Sequence, residues 1–521
     1  MKYLSLIVLL VFGFLSIHCQ NSISPKISDV TGEFEFYYDN EYHWIIFKLE
    51  EGELKASFRY GKTFALKQSD KTKLEFEYNS EGKHFVFTFR DSDHCIYTSN
   101  GVDMIGERKK VEEKPIKLSR VQLLADIDQA YSILTKNHPA IDDFISKKDF
   151  DLLFDKAKNQ VNNGMTDLEF YCMLAPIISS IGCGHTTLLA PLSFSREIEH
   201  KLVPVHLNIV DSNALISTLI SEKDSIELGA ELLAINGKPI EGIIQSLLLL
   251  FSSDGNRKGY KYSKMSLYFS TYYSVMFGET PEYLLTIKAA DQKVKDIKVS
   301  GVGLRKYNAS RENSPMVSWN FIEDKSAVHL IIKAFHDVEV FKKSIDTVFT
   351  QIFSKGAKNL IIDVRNNSGG DPYCATHLLS YILPNPIPYF KESYPDYEDL
   401  IKPIKLQDKR FTGSVVFLVD GGCFSTTGHF LALVKYHKVG KIVGSETSGT
   451  YTCNDDHRYA DLKNSRVQLQ YARRKYTVAV LNWSNISGVL PEIEINTAAS
   501  NYAKNKDLAL EKVLEIIDLK Y

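Results

Sequence analysis

Cysteine is scarce in this chain, seven residues in 521, and their wide spacing excludes a small fold stapled by disulfides. Charge of one sign is also lacking: 62 basic against 64 acidic residues leave a formal net charge of −2. No dense basic stripe stands out of that balance, which excludes the phosphate-neutralising surface that nucleic acid requires. No apolar run reaches the roughly 20 residues of a membrane-spanning helix. The Cys and His spacings match no standard zinc pattern, and no glycine-rich loop carries the lysine of a phosphate-binding P-loop.

What is present is ordinary globular composition, 44% hydrophobic and 24% charged, in a chain too long for one core. At roughly 100–200 residues per domain it should divide into about three or four. The start, Met1-Lys2-Tyr3 followed by the apolar stretch Leu4 to Ile17, has the form of an export signal over residues 1–19. Cys19 stands where a lipid-modified cysteine would become the new amino terminus, so the expected location is periplasmic or extracellular, with membrane attachment through Cys19 as an option. The other cysteines, Cys95, Cys172, Cys183, Cys374, Cys423 and Cys453, read as small buried residues, although an exported chain permits disulfides.

Residues 25–113 alternate apolar and polar positions in short runs, as in Glu33-Phe34-Glu35-Phe36 and His84-Phe85-Val86-Phe87, and predict an N-terminal β domain. Residues 118–198 predict a helical segment. Ser119 to Gln122 and Thr166 to Glu169 are capping boxes opening helices, the first with Leu124, Ile127, Tyr131 and Leu134 on one face, and a helix near Ser146 buries Phe150, Leu153, Phe154 and Ala157. Across 200–305, Leu232 to Ile240 reads as strand, Asn236-Gly237 turn and helix. From residue 315 to 521 apolar strands alternate with helices, which implies crossover connections and a mostly parallel sheet. Functional residues of such sheets gather where strands end and helices begin.

Three places there and upstream carry chemistry. Asp420-Gly421-Gly422-Cys423-Phe424-Ser425 sets a serine after a buried strand at a helix mouth, where free amides stabilise an oxyanion; its structural alternative is a plain helix cap. Gly182-Cys183-Gly184-His185-Thr186 holds a histidine in a glycine-flanked turn, suited to accept a serine proton, although a loop histidine is also a common surface residue. Leu360 to Gly370 ends a buried strand in glycines that let a substrate approach backbone amides. Rival chemistries are a thiol hydrolase built on Cys423 and a metal site from Cys183, His185, Cys374 and Cys453.

Taken in order, these landmarks resemble the tail-specific, or carboxy-terminal processing, serine peptidase family, in its tricorn-core-like subgroup with an interphotoreceptor retinoid-binding protein-like domain. The matching stretches are the His185-Thr186 turn, Leu232 to Ile240, Asp363 to Asn367, the Ser425 junction, Gly444 to Gly449 and Gly488 to Ile493. The resemblance implies a multidomain α+β protein: a crotonase/ClpP-like α/β catalytic domain over 315–521, a PDZ-like module over 200–305, the helical segment and the β domain. It implies a serine endopeptidase acting on protein or peptide substrates near their C-terminal ends, with Ser425 as nucleophile and His185 as base. Amides of Gly369 or Gly370 and of Thr426 would hold the oxyanion, without metal or organic cofactor. Thr450 stands where serine-lysine members carry their lysine, and Gly428 where many members carry Glu. The supporting acid is left open between Asn485 and Glu492. The alternative reading is an inactive relative that only binds peptides.

Overall fold

The computed structural model describes residues 26–38, 41–58, 63–70, 74–80, 83–99, 102–109, 116–191, 194, 200–210, 212–220, 229–289, 291–311, 314–484, 486–495 and 507–518. The proposed export signal, Cys19 and Asn485 lie outside them. The chain divides into two units, Met1–Val111 and Glu112–Tyr521.

The first unit is a nine-stranded antiparallel sheet. Its first strand, Gly32–Tyr38, lies between Glu41–Glu50 and the last strand, Val102–Lys109. The period-two pattern places Phe34, Phe36, Phe47, Phe76 and Phe87 on one buried face, with Phe47 edge-on to both Phe34 and Phe87.

In the second unit the helices Arg120–Asn137, Lys147–Gln160 and Asp167–Ser179 form as the caps at Ser119, Ser146 and Thr166 require. The buried face of the first is Leu123, Ile127, Ala130 and Leu134; Leu124 and Tyr131, expected inside, are only partly covered. The helix turns this way because Asp126 must also face inward, where it accepts the amides of Asn464 (3.0 Å) and Ser465 (2.7 Å). A five-stranded antiparallel path runs from Val205–Val210 to Val294–Ser300, with the short strand Lys238–Pro239 paired beside Glu231–Ile235 and the helix Ile240–Leu248 following. This region and the preceding helices share one core, joined by Ala460 to Ala472 of the distant C-terminal part.

A six-stranded sheet follows in the order Val317–Ile322, Ala327–Ile332, Asn359–Asp363, Ser414–Val419, Lys441–Gly444 and Ile493–Glu494. Its first pair is antiparallel and the others parallel. Helices Val338–Lys355, Pro372–Ile382 and Thr426–Tyr436 pack on one face, as same-handed crossovers between sequential strands demand. Helix Leu508–Asp518 covers the other face. It is tied down by Arg365, which grips Asp507 (2.8 and 2.7 Å) and Asp363 (2.9 and 2.6 Å) together. Burial pushes the Asp363 carboxyl up, but the Arg365 and His329 hydrogen bonds outweigh it and hold it well below the carboxylate range.

Candidate active site

The neighbouring strands Asn359–Asp363 and Ser414–Val419 end at the same edge of the sheet, and their following loops are laced together. The Asp420 carboxylate accepts the amides of Asn366 (2.8 Å) and Gly422 (2.9 Å). Buried Asn367 donates to the Ile332 carbonyl (3.1 Å) and accepts the Gly369 amide (2.9 Å) and the Thr427 hydroxyl (2.8 Å). The Phe424 amide donates to the Asn367 carbonyl (3.1 Å), which fixes the position of the next residue.

That residue is Ser425. It occupies the N-cap position of helix Thr426–Tyr436, yet its side chain makes no cap hydrogen bond. Its backbone sits at φ 52° and ψ −126°, a region that costs a non-glycine residue about 1–3 kcal/mol. The hydroxyl instead lies 3.1 Å from Nε2 of His185.

His185 owes its place to contacts from four directions. Its turn closes by the Thr186 amide donating to the Cys183 carbonyl (3.0 Å), and its own carbonyl accepts from Gln470 (3.0 Å). The next strand, Thr187–Leu189, pairs with Gln468–Tyr471. The imidazole stacks on Phe424 at 4.8 Å between centroids and 28° between planes, and Phe424 stacks in turn on Tyr260 at 4.0 Å. Gly184 is glycine because a Cβ there would meet the Phe424 ring at 2.4 Å.

The acid at this site is Asp455, at the end of strand Thr452–Asp455. Its Oδ2 lies 3.5 Å from His185 Nε2, and its other oxygen pairs with His457 at 2.7 Å. Burial raises the Asp455 carboxyl, but the charge of His185 and the His457 hydrogen bond outweigh it and bring it down to about 2. It therefore stays ionised beside a histidine that would become cationic on taking a proton. His185 Nδ1 is buried and has no hydrogen-bond partner among the described residues, so stacking, not an Nδ1 hydrogen bond, sets the ring plane. Asp254 lies nearby, accepts the Gly184 amide (2.7 Å) and is raised by burial. Of the two residues between which the supporting acid was left open, Glu492 is exposed and accepts the Ile442 amide (2.6 Å). Asp455 escaped the sequence reading; its one signal was the pair Asp455-Asp456 shortly after Gly449 and Thr450.

Gly369 packs against Ser425, where a Cβ would sit 2.8 Å from the serine Cβ and from the Thr426 nitrogen. Its amide is committed to Asn367. The Gly370 and Thr426 amides make no hydrogen bond among the described residues, and the Thr426 hydroxyl donates to the Gly370 carbonyl. Gly428 backs onto Gly449 and Thr450, whose backbone a Cβ would meet at 2.5 Å, so no glutamate fits there. Thr450 is buried with its hydroxyl unpartnered among the described residues.

The six described cysteines are free thiols. Cys423 is wholly buried, its thiol donates to the Val364 carbonyl (3.0 Å), and burial pushes it far from ionising. Among the described residues no group of three or more His, Cys, Asp or Glu side chains is placed to hold a metal ion.

The profile of peptidase family S41 matches residues 329–495, the stretch that contains the Ser425 junction and Asp455. Residues 329–495 belong to peptidase family S41. That match makes this stretch a serine-type peptidase domain. No curated protein matches its sequence. Among solved structures, a serine-to-alanine mutant of CPAF is 14% identical, with 77% of this chain and 97% of that chain covered at a TM-score of 0.57. Mature CPAF complexed with lactacystin gives 14%, 76% and 98% at 0.55. A putative peptidase from Parabacteroides merdae gives 13%, 77% and 96% at 0.41. At such identity the likeness to CPAF is one of fold. The S41 stretch excludes His185, which reaches Ser425 from outside it.

Proposed function

We propose that this chain is an exported serine endopeptidase that cuts proteins near their C-terminal ends, with Ser425 as nucleophile and His185 as base. The carrying observation is that Ser425 gives up its capping role and, in a strained backbone conformation, presents its hydroxyl 3.1 Å from His185 Nε2. Nε2 takes the hydroxyl proton as Oγ bonds to the peptide carbonyl carbon. The carbonyl oxygen, now anionic, is received by the amides of Gly370 and Thr426, Gly369 serving as the close-packed floor. A donor of this kind is worth about 3–4 kcal/mol in the transition state. Asp455 stabilises the imidazolium, which then protonates the leaving amine; water hydrolyses the acyl-enzyme by the same route in reverse.

Residues 200–305 are assigned a PDZ-like role, with an extended peptide adding to an edge strand, Val205–Val210 or Val294–Ser300. The α/β region is assigned the crotonase/ClpP-like architecture. Residues 1–19 are assigned to export, with Cys19 available for lipid attachment.

A fluorophosphonate probe and an unfolded protein substrate test the mechanism. Labelling should map to Ser425, disappear in Ser425→Ala and fall sharply in His185→Ala, with substrate cleavage following the same order. A folded wild-type chain that neither labels nor cleaves would instead be a peptide-binding relative.

A further inference from the structure

Behind the His185 loop lies a cavity of about 480 Å³, lined by Phe144, Pro176, Ser179, Gly182, Gly255 and Lys261 among others. Gly182 and Gly255 are joined by a backbone hydrogen bond (2.8 Å), so one wall of the cavity belongs to the same loop that carries the catalytic histidine.

Lys261 is the unusual member. Its Nζ donates to the Ser179 hydroxyl (3.1 Å) and the Leu248 carbonyl (3.4 Å), both neutral. Burial brings its ammonium down to about 8, the neighbouring cation Lys258 pushes the same way, and no carboxylate pairs with it among the described residues. The carboxylate in the cavity wall, Asp143, is already matched, since both its oxygens pair with Lys475 at 2.8 and 2.9 Å. A largely buried ammonium without a counter-charge is costly unless something supplies one. Ser179 cannot use this lysine as a nucleophile's base, because its hydroxyl donates to the Phe251 carbonyl at 2.6 Å.

We propose that this cavity is a subsite for a carboxylate group of the bound peptide, paired with the Lys261 ammonium. The carboxylate comes either from an acidic side chain or from a free chain end, and the inference rests on the peptidase reading above. Such a ligand restores the missing charge at a wall continuous with the His185 turn.

The test uses the full chain carrying Ser425→Ala and three fluorescent peptides of one sequence: neutral with an amidated end, neutral with a free carboxylate, and amidated with one internal Glu. At least one carboxylate peptide should bind tenfold or more tightly than the neutral amide. Lys261→Met should abolish that advantage while neutral-peptide binding stays within twofold, and Lys261→Arg should preserve it. Lys261→Met removes an uncompensated buried charge, so its melting temperature should not fall, which separates lost binding from lost fold. Equal binding of all three peptides, no binding of any, or an advantage that survives Lys261→Met overturns the proposal. Hydrolysis of the neutral peptide by the wild-type chain is scored separately: cleavage without carboxylate preference sinks the subsite alone, and a Lys261-dependent preference without cleavage sinks the peptidase reading alone.

Discussion

The imidazole of His185 lies face to face with the ring of Phe424, the residue immediately before Ser425, at 4.8 Å between centroids. The proposed base and nucleophile, His185 and Ser425, are thus aligned through one aromatic ring that also stacks on Tyr260. Gly184→Ala should force that ring aside, since a Cβ would lie 2.4 Å from it. The expected result is a fall in kcat of about 100-fold, the scale of a 1 Å misplacement, with KM little changed. Steady-state kinetics on a short peptide checks this, and wild-type kcat in the variant would refute the alignment role.

Asp455→Asn removes the carboxylate 3.5 Å from His185 Nε2. Because the charge of His185 helps hold Asp455 ionised, the same interaction favours the imidazolium. Activity should drop by at least tenfold, since the imidazolium formed when Nε2 takes the serine proton loses its neighbouring carboxylate. Activity within about twofold of wild type, measured by steady-state kinetics on a short peptide, would take Asp455 out of the mechanism.

Ser425→Gly separates strain from chemistry. Glycine adopts φ 52°, ψ −126° without steric penalty, while losing some unfolded-state entropy advantage. The net expectation is a gain of about 1 kcal/mol in unfolding free energy together with complete loss of hydrolysis. Denaturant titration beside an activity assay measures both; a destabilised Ser425→Gly chain would show that the backbone there is not strained.

His429 is buried with neither ring nitrogen partnered among the described residues, and burial brings it from 6.5 down to about 3. The unfolded chain binds this proton more readily than the folded one. Stability from His429 is therefore present above pH 6.5 and is lost as pH falls toward 3, at up to about 1.4 kcal/mol per pH unit. His429→Met should flatten that slope. His138, also lowered by burial, to about 4, leaves a residual dependence. Urea midpoints measured across this window give the comparison.

Local chemistry made much of this protein legible. The caps at Ser119 and Thr166 start helices because a side-chain oxygen and a reciprocal Gln or Glu satisfy the first free amides within four residues. The alternation in Glu33 to Phe36 and the apolar runs at Leu360 and Val415 become strands with the expected faces buried. Ser425 and His185 stood out because glycines free the backbone around both.

Only the tertiary structure decided the rest. Asp455 reads as an ordinary strand-end acid until the fold brings Thr452–Asp455 beside the His185 turn. The buried stripe of helix Arg120–Asn137 rotated to carry Asp126 to the amides of Asn464 and Ser465, a demand made by residues far along the chain. Lys261, on helix Gly259–Phe277, meets only the neutral Ser179 and Leu248 acceptors among the described residues because the ends of two other helices come to it there. Secondary structure and glycine-dependent turns follow from interactions within a few residues, which sequence spacing encodes directly. Charge pairing, ring stacking and cavities depend on which distant segments meet, and that is settled only when the cores close.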